Sequence, residues 1–222
     1  MILKQFWVWL VRWGFHLLYH QLAWTYDGVS WLVSLGRWRV WQAAALEFVT
    51  GPRVLEIGHG PGHMLIPLAQ RGYAVMGLDL SPQMGRRAAR LLARAGLAGR
   101  VGLIRGRVQA LPLADGQFTC VLSQFPTPYI LEPASLAAIW RVLAADGRLV
   151  ILPEGHLTGR TWVHRVIAWL FAITGQAQAE PAHSSAELWR PFTEALTAAG
   201  FTPTLHLIPL QGSEATLIVA QK

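Results

Sequence analysis

Three glycines alternate with other residues in the segment LEIGHGPGHML, at Gly58, Gly60 and Gly62, directly after an apolar run. Glycine lets a backbone turn tightly and approach a ligand closely. The acidic Asp79 follows about twenty residues later, where an acid at the end of a second strand accepts hydrogen bonds from ribose hydroxyls. This spacing favours a nucleotide-type ligand over a glycine-rich turn that binds nothing. A dinucleotide fingerprint would need glycine at the position of His63, so a nicotinamide cofactor is disfavoured.

Candidates for proton transfer lie in this loop and after a later strand. His59 can act as a base or as a hydrogen-bonded structural residue, and Tyr129 can face an acceptor or simply pack. The eight histidines are scattered without paired carboxylates, so the sequence indicates neither a catalytic triad nor a metal site. A single cysteine excludes a disulfide framework and a zinc site built on cysteines.

Apolar runs and helical stretches alternate through the middle of the chain and would position the loop. The runs are apolar on both faces, as parallel strands covered by helices require. They predict strands at 53–58, 74–80, 100–106, 118–125 and 148–155, with helices at 61–72, 81–96 and 133–147. The chain closes with a helix ending at AAGF and two more strand-like runs. This order predicts a doubly wound α/β sheet with its ligand at the carboxyl edge of the strands.

Longer segments around these residues resemble class I S-adenosylmethionine-dependent methyltransferases. VLEIGHGPGHMLIPLAQRGYAVMGLDLSPQM is similar to the motif I region of that family, and GRVQALPLADGQFTCVLSQF and IWRVLAADGRLVILPEG resemble its later motifs. EALTAAGF and the last strands are similar to its C-terminal hairpin. The resemblance covers roughly residues 50–222 and implies a Rossmann-like, seven-stranded, mostly parallel sheet with an antiparallel last strand. It also implies that S-adenosylmethionine is the cofactor.

The resemblance implies a role for each residue that matches the family's motifs. Glu56 and the loop from Gly58 to Gly62, including His59, would hold the methionine end, and Asp79 would bind the ribose. The remaining cofactor contacts would be Leu80, Met84, Val108 and Gln109 around the adenine and Gln124 and Phe125 near the sulfonium. Arg107 stands where the family has an Asp that accepts from the adenine amino group. Because arginine cannot accept a hydrogen bond, Gln109 or a backbone carbonyl is expected to do so.

The segment YDGVSWLVSLGRWRVWQ, residues 26–42, is similar to part of the quinone-biosynthesis C-methyltransferases and, more loosely, of small bacterial phospholipid N-methyltransferases. In such enzymes it closes over the cofactor and helps to shape the acceptor pocket, and both groups act on lipid-soluble acceptors. The matching residues are Tyr26, Asp27, Ser34, Gly36 and Trp41, while Trp38 replaces a histidine of the family. The candidate catalytic residues are therefore Tyr26, His59 and Tyr129.

The first 24 residues are predicted to form an amphipathic helix at a membrane interface. One polar stripe at helical intervals interrupts the aromatic-rich run MILKQFWVWLVRWGFHLLYH, and it consists of Lys4, Arg12, His16 and His20. Those polar groups argue against a spanning helix, which needs about 20 largely uncharged residues. Packing of the aromatic side chains on the domain or on a second subunit is the alternative. The methyltransferase domain is expected over 25–222, with a lid, or an ordinary core helix, at 156–180.

These observations predict an enzyme that transfers a methyl group from S-adenosylmethionine to a membrane phospholipid headgroup or an isoprenoid quinone. Hydrophobic residues make up 53% of the chain, and a net charge of +7 favours an anionic membrane surface as partner. We expect a cytoplasmic protein, peripheral on the inner face of the membrane, and leave a homo-oligomer open. A soluble metabolite is an alternative acceptor. No nucleic-acid partner is expected, although the arginine run over 86–107 keeps a nucleic-acid methyltransferase among the alternatives.

Overall fold

The fold is a seven-stranded sheet with helices on both faces, seen in a computed structural model that describes residues 34–158 and 186–222. The strands are β1 Arg53–Ile57, β2 Ala74–Asp79, β3 Gly102–Arg105, β4 Phe118–Gln124, β5 Leu143–Leu157, β6 Thr202–Leu210 and β7 Ser213–Gln221. The α-helices in the described part are α1 Trp38–Ala44, α2 Leu65–Gln70, α3 Pro82–Arg94, α4 Pro133–Val142 and α5 Ala186–Ala198. Short 3₁₀ turns cover Ala45–Phe48, Val108–Ala110 and Pro128–Leu131.

The strand order β3-β2-β1-β4-β5-β7-β6 confirms the predicted Rossmann-like sheet. Strands β1 to β5 pair in parallel, and β7 runs antiparallel between β5 and β6. From β1 the chain continues to β2 on one side of the sheet, and from β4 it continues to β5 on the other side. The connections that leave these two neighbouring strands therefore diverge. A doubly wound sheet opens a ligand crevice at that point, beyond the carboxyl ends of the strands.

Both faces of the sheet are packed, which explains the uninterrupted apolar runs in the strands. Leu122 and Val150 point into a core shared with α1, α2 and α3. Their neighbours Val121 and Leu149 point into the opposite core, shared with α4 and α5. All four side chains are fully buried. The alternation holds each strand in register, because a slip of one residue would exchange the two faces.

Two predicted helices are shorter than the sequence indicated. The helix expected over 61–72 begins only at Leu65. Gly60 and Gly62 have φ of 55° and 87°, values that a right-handed helix cannot contain, so the residues before Leu65 form turns. The helix expected over 133–147 ends at Val142, because Leu143 already pairs with Phe118 as the start of β5.

The predicted start of α3 is confirmed. Ser81 has an extended backbone, and its hydroxyl accepts a hydrogen bond from the Met84 N–H at 3.3 Å. Pro82 occupies the first helical position, where its missing N–H costs nothing. The helix therefore begins directly after β2, at the carboxyl edge of the sheet.

Several predicted features lie outside the described residues. These are the interface helix over 1–24, the candidates Tyr26 and Asp27, and the lid from 159 to 180. The first residues of the predicted lid belong to the sheet instead, since β5 continues through Leu157 and pairs there with Ser213. Within 34–158 and 186–222, no helix has both the length and the apolar character needed to cross a membrane.

Candidate active site

The glycine loop that follows β1 adopts a backbone path that side chains would obstruct. Gly58 has φ of 71°, and its N–H donates to the carbonyl of Leu78 at 2.8 Å. Gly62 has φ of 87°, and a Cβ at this position would lie 2.8 Å from the Cβ of Ala88 on α3. The loop is thus held between the end of β2 and the first half of α3.

Asp79 joins the three elements that meet at this edge. One carboxylate oxygen accepts from the Gly60 N–H at 2.8 Å, and the other accepts from the Ser81 N–H at 2.8 Å. An ionised carboxylate has about four acceptor positions, so the two backbone contacts leave capacity for ribose hydroxyls. Asp79 therefore positions the loop in addition to its predicted contact with ribose.

The residues predicted around the adenine differ in exposure. Leu80 is 51% exposed and gives an apolar surface next to Asp79, whereas Met84 is 1% exposed inside α3. Val108 is buried as well, and the Gln109 amide nitrogen donates to Glu132 at 2.7 Å. This bond orients the Gln109 amide and leaves its oxygen as an acceptor, as the predicted contact with an adenine amino group requires.

His59 lies beneath the loop with its ring buried. A Cβ on Gly77 of β2 would lie 2.8 Å from the ring, and Nδ1 is 2.8 Å from the Gly60 carbonyl. A carbonyl can only accept, so Nδ1 carries the proton. Burial lowers the pKa of His59, while Asp79 acts in the opposite direction. These contacts fix the loop, and the catalytic role of His59 stays a prediction.

Glu56 is a buried carboxyl group at the end of β1. It is 2% exposed, and within the described part of the chain its Oε2 atom has no hydrogen-bond partner. Burial and, to a smaller extent, the nearby charge of Asp79 together raise its pKa to about 8. A buried carboxylate without a partner is costly, so a cationic group placed here would stabilise its ionised form.

The last residue of β4 and the residue that follows it support an aromatic cluster. The Gln124 amide exchanges two hydrogen bonds with Gln42, at 3.1 and 3.0 Å. Phe125 has φ of 48°, unusual for a residue with a side chain, and its N–H donates to the Leu152 carbonyl at 2.6 Å. Its ring stacks on Trp38 with centroids 3.9 Å apart.

We call Trp38, Trp41 and Phe125 the aromatic wall. Trp41 is tilted against the other two rings, with centroids 6.4 Å from each. Trp41 is buried and packs over Gly155 of β5, while Trp38 and Phe125 are half-buried. Because Phe125 follows the strand paired with β1, the wall stands beside the glycine loop at the carboxyl edge.

Tyr129 is brought to the loop by the turn Pro128–Leu131. Its hydroxyl lies 2.9 Å from the position that a Cβ on Gly58 would take. The side chain is half-buried and lies within reach of the cofactor region, as the candidate role requires. Sequence reasoning missed Gln42, which orients Gln124; its position next to Trp41 in the family-like segment was the available signal.

The described residues contain no group of three or more His, Cys, Asp or Glu side chains that could hold a metal ion. In addition, the polar groups of the loop region are used in backbone contacts: Asp79 accepts from two N–H groups, and His59 is directed at a carbonyl. The site therefore presents a binding surface of backbone, one unpartnered carboxyl oxygen and aromatic rings.

Comparison with known proteins agrees with this geometry. Residues 54–147 match a family described as a methyltransferase domain. A ubiquinone/menaquinone biosynthesis C-methyltransferase from Photorhabdus laumondii is 27% identical over 143 residues, which is 61% of this chain and 57% of that protein. Its counterpart from Geotalea uraniireducens is 28% identical over 142 residues, 61% of this chain and 60% of that protein. The chain thus spans less than two thirds of the length of these relatives.

Solved structures share the fold at low sequence identity. A protein from Methanococcus maripaludis assigned to the S-adenosylmethionine-dependent methyltransferases has a TM-score of 0.61 and 21% identity, covering 88% of this chain and 90% of that one. Geranyl diphosphate C-methyltransferase from Streptomyces coelicolor, solved with Mg²⁺, geranyl diphosphate and S-adenosylhomocysteine, has a TM-score of 0.59 and 16% identity. It covers 82% of this chain and 79% of that one.

The sheet order and the glycine loop agree with the methyltransferase-domain match over residues 54–147, and the fold is that of solved S-adenosylmethionine-dependent methyltransferases. Within that class, the chain is similar to the ubiquinone/menaquinone biosynthesis C-methyltransferases.

The site fits S-adenosylmethionine on its own evidence. The methionine end of this cofactor carries an ammonium group, a cation that would pair with ionised Glu56, whose Oε2 atom has no partner among the described residues. Asp79 has free acceptor capacity for the ribose, and Leu80 is exposed where the adenine is expected. These observations support the predicted placement, in which Glu56 and the loop hold the methionine end, Asp79 binds the ribose and the adenine lies on the Leu80 side, and this placement stays a prediction.

Proposed function

We propose that this protein methylates a lipid-soluble acceptor and that the acceptor is a quinone-type ring. The aromatic wall supports this proposal most directly. Trp38 and Phe125 offer stacked, half-exposed rings beside the cofactor loop, and aromatic faces favour offset stacking with a planar ring. The names of the similar proteins point to the same class of acceptor.

S-adenosylmethionine supplies an activated methyl group, so the protein's main task is alignment and exclusion of water. The glycine loop and Asp79 hold the cofactor, and the aromatic wall covers the side on which an acceptor ring would lie. A carbon acceptor also loses a ring proton. Tyr129 is our candidate to relay this proton to solvent, because its hydroxyl can accept a proton as it donates its own and lies close to Gly58.

The acceptor class can be tested by offering methyl-labelled S-adenosylmethionine with four acceptors separately. These are a demethylated isoprenoid quinol, phosphatidylethanolamine vesicles, a soluble phenol and an RNA pool. We expect label in the quinol. Label confined to phosphatidylethanolamine would favour the phospholipid headgroup, and label in the soluble phenol or the RNA would reject a lipid acceptor altogether.

Variants of Trp38 connect that assay to the aromatic wall. Trp38→Ala is expected to raise the KM for the quinol several-fold, because the stacking face is lost, with little change in cofactor affinity. Trp38→Phe keeps an aromatic ring and serves as the matched control. Equal KM values for the wild type and Trp38→Ala would remove the wall from the acceptor site.

We extend the proposal to location: the protein works at the inner face of a membrane, from which it draws its acceptor. The support is the amphipathic pattern of residues 1–24, with aromatic side chains and a basic stripe. Removal of residues 1–24 is expected to weaken flotation with anionic liposomes strongly. Unchanged flotation of the truncated chain would contradict this placement.

A further inference from the structure

The net charge of the protein is concentrated in one part of the chain. Residues 57–114 contain eight arginines and one acidic residue, whereas the remainder contains eleven basic and eleven acidic residues. That segment therefore carries a net charge of +7, equal to the charge of the whole chain. Its single acid, Asp79, accepts hydrogen bonds from two backbone N–H groups. The β2–β3 half of the sheet is thus strongly cationic while the rest is balanced.

Part of this charge lines a groove between the glycine loop and α3. The groove has a volume of about 220 Å³ and is lined by Pro61, His63, Arg87, Arg90, Leu91 and Arg94. We call it the arginine groove. Its three arginines are spaced by three and four residues, so they share one face of α3. They span about 10 Å along the helix axis at a rise of 1.5 Å per residue. Among the described residues that line it, none is acidic.

The size and lining of the arginine groove define the ligand it can accept. Pockets for drug-sized molecules usually start at about 300 Å³, so this groove is suited to a small anionic group. Guanidinium groups match the planar, two-pronged geometry of phosphate oxygens. Pro61 and Leu91 add apolar surface beside the charges. The combination fits a phosphate that is presented next to apolar material.

We propose that the arginine groove docks the protein on anionic lipid headgroups of a membrane surface. A headgroup layer presents single phosphates above apolar chains, which corresponds to the lining of the groove. Nucleic acid is a poorer match, since α3 carries no Phe, Tyr or Trp on which bases could stack. The amphipathic pattern of residues 1–24 points to the same kind of surface.

Docking through this groove would also bring the candidate active site close to the membrane. Pro61 and His63 belong to the glycine loop, so one end of the groove lies at the carboxyl edge where the cofactor binds. Contact there holds that edge close to the bilayer. This inference does not depend on which acceptor is methylated, because it concerns attachment of the domain and not the reaction.

The experiment is flotation of the full chain with vesicles of phosphatidylcholine containing phosphatidylglycerol. The test variant replaces Arg87, Arg90 and Arg94 with Gln. A basic residue near an anionic surface contributes about 1 kcal/mol, so we expect the affinity for these vesicles to fall at least about tenfold. The wild type and the triple Gln variant should both bind weakly, and to the same extent, to vesicles of pure phosphatidylcholine.

A matched control removes three arginines from the opposite edge of the sheet. Arg53, Arg71 and Arg100 are exposed and stand at or before the starts of β1, β2 and β3. The control variant with Gln at these positions has the same net charge and should float within twofold of the wild type. Equal affinity losses in both triple variants would show a nonspecific charge effect and would overturn the assignment to the groove.

Folding of each variant is checked by thermal unfolding and by binding of S-adenosylmethionine. If the triple Gln variant does not fold, the double variant Arg90→Gln with Arg94→Gln replaces it, because both side chains are exposed. The double variant Arg90→Lys with Arg94→Lys keeps both charges and should bind the vesicles like the wild type. Vesicle affinity within twofold of the wild type would overturn the proposal. If the triple Gln variant lost RNA binding but still bound the vesicles like the wild type, the groove would be a nucleic-acid surface and the proposal would be overturned.

Discussion

Asp79 and Glu56 lie at the ends of adjacent strands, and we expect them to act on the cofactor in different ways. Asp79 is bonded to the loop and to the start of α3, so its contribution to binding is partly geometric. Glu56 has an unpartnered oxygen within the described residues, so its contribution is electrostatic. The two carboxyl groups can therefore be separated by experiment.

Asp79→Ala should weaken binding of S-adenosylmethionine by roughly 1.5–3 kcal/mol, because the ribose loses a charged acceptor and the Gly60 N–H loses its partner. Calorimetric titration measures the effect. Asp115→Ala is the matched control, since Asp115 is an exposed acid whose partner is Arg141 on α4. Wild-type affinity in Asp79→Ala would remove this residue from the cofactor site.

Glu56 should make cofactor binding depend on pH. Its pKa in the folded protein is about 8, raised from the ordinary 4.5 by burial and then by Asp79. Only the ionised form pairs with the cofactor's ammonium group, so affinity should rise with pH up to about 8, with release of a proton on binding. Glu56→Gln should flatten this profile. Calorimetry in two buffers of different ionisation enthalpy measures the proton.

The same group sets the sign of a stability effect. Between about pH 4.5 and pH 8 the folded protein holds a proton on Glu56 that the unfolded chain has lost. The cofactor-free protein should therefore lose stability as pH rises through this window, and Glu56→Gln should lose less. Parallel slopes for the wild type and Glu56→Gln in urea unfolding would contradict the shifted pKa.

At the scale of elements, the contact between the glycine loop and α3 can be tested with a pair of glycines. Gly62 and Gly72 have similar φ, 87° and 89°, but only a Cβ on Gly62 would meet a neighbour, at 2.8 Å from Ala88. Gly72→Ala should cost only the backbone strain, about 1–3 kcal/mol. Gly62→Ala should cost more in thermal unfolding and should also weaken cofactor binding. Equal effects of the two substitutions would show that the loop adapts to the extra atom.

Element boundaries illustrate how tertiary contacts act on local preferences. The segment LAADG after α4 has good helix formers, yet it enters the sheet at Leu143 because pairing with β4 buries that side chain completely. Strand β5 then runs to Leu157 because β7 provides a partner for its second part, from Arg148 to Leu157. Strand length here is decided by the neighbour and not by the composition of the strand.

At the scale of the molecule, Trp41 connects the N-terminal part of the domain to the sheet. Its buried indole fills the space above Gly155, so α1 packs on β5 through this residue. Trp41→Ala should lower the free energy of unfolding by about 3–5 kcal/mol, the range for a large aromatic side chain removed from a core. Trp38→Ala, on the half-exposed side of the same wall, should cost clearly less. If Trp38→Ala lowered the free energy of unfolding more than Trp41→Ala, Trp38 would be the residue that contributes most to the packing of the cluster.

Sequence alone determined the fold class and the place of the glycine loop and Asp79 at the carboxyl edge of the sheet, because these depend on local patterns. Parallel strands need runs that are apolar on both faces, and a tight ligand loop needs glycines at fixed spacing. Both signals lie in residues that are close together in the sequence. For the same reason Ser81 and Pro82 were sufficient to predict the start of α3.

Only the tertiary structure decided which distant residues share the site. Tyr129 lies against Gly58, Gln42 orients Gln124, and Trp38 stacks on Phe125, although each pair is far apart along the chain. The burial of Glu56 and its raised pKa also arise from the assembled sheet, in which β2 and β4 flank β1 and Asp79 stands at the end of β2. Such contacts depend on the packing of whole elements, and packing energy is spread over many side chains, so no short segment carries the signal.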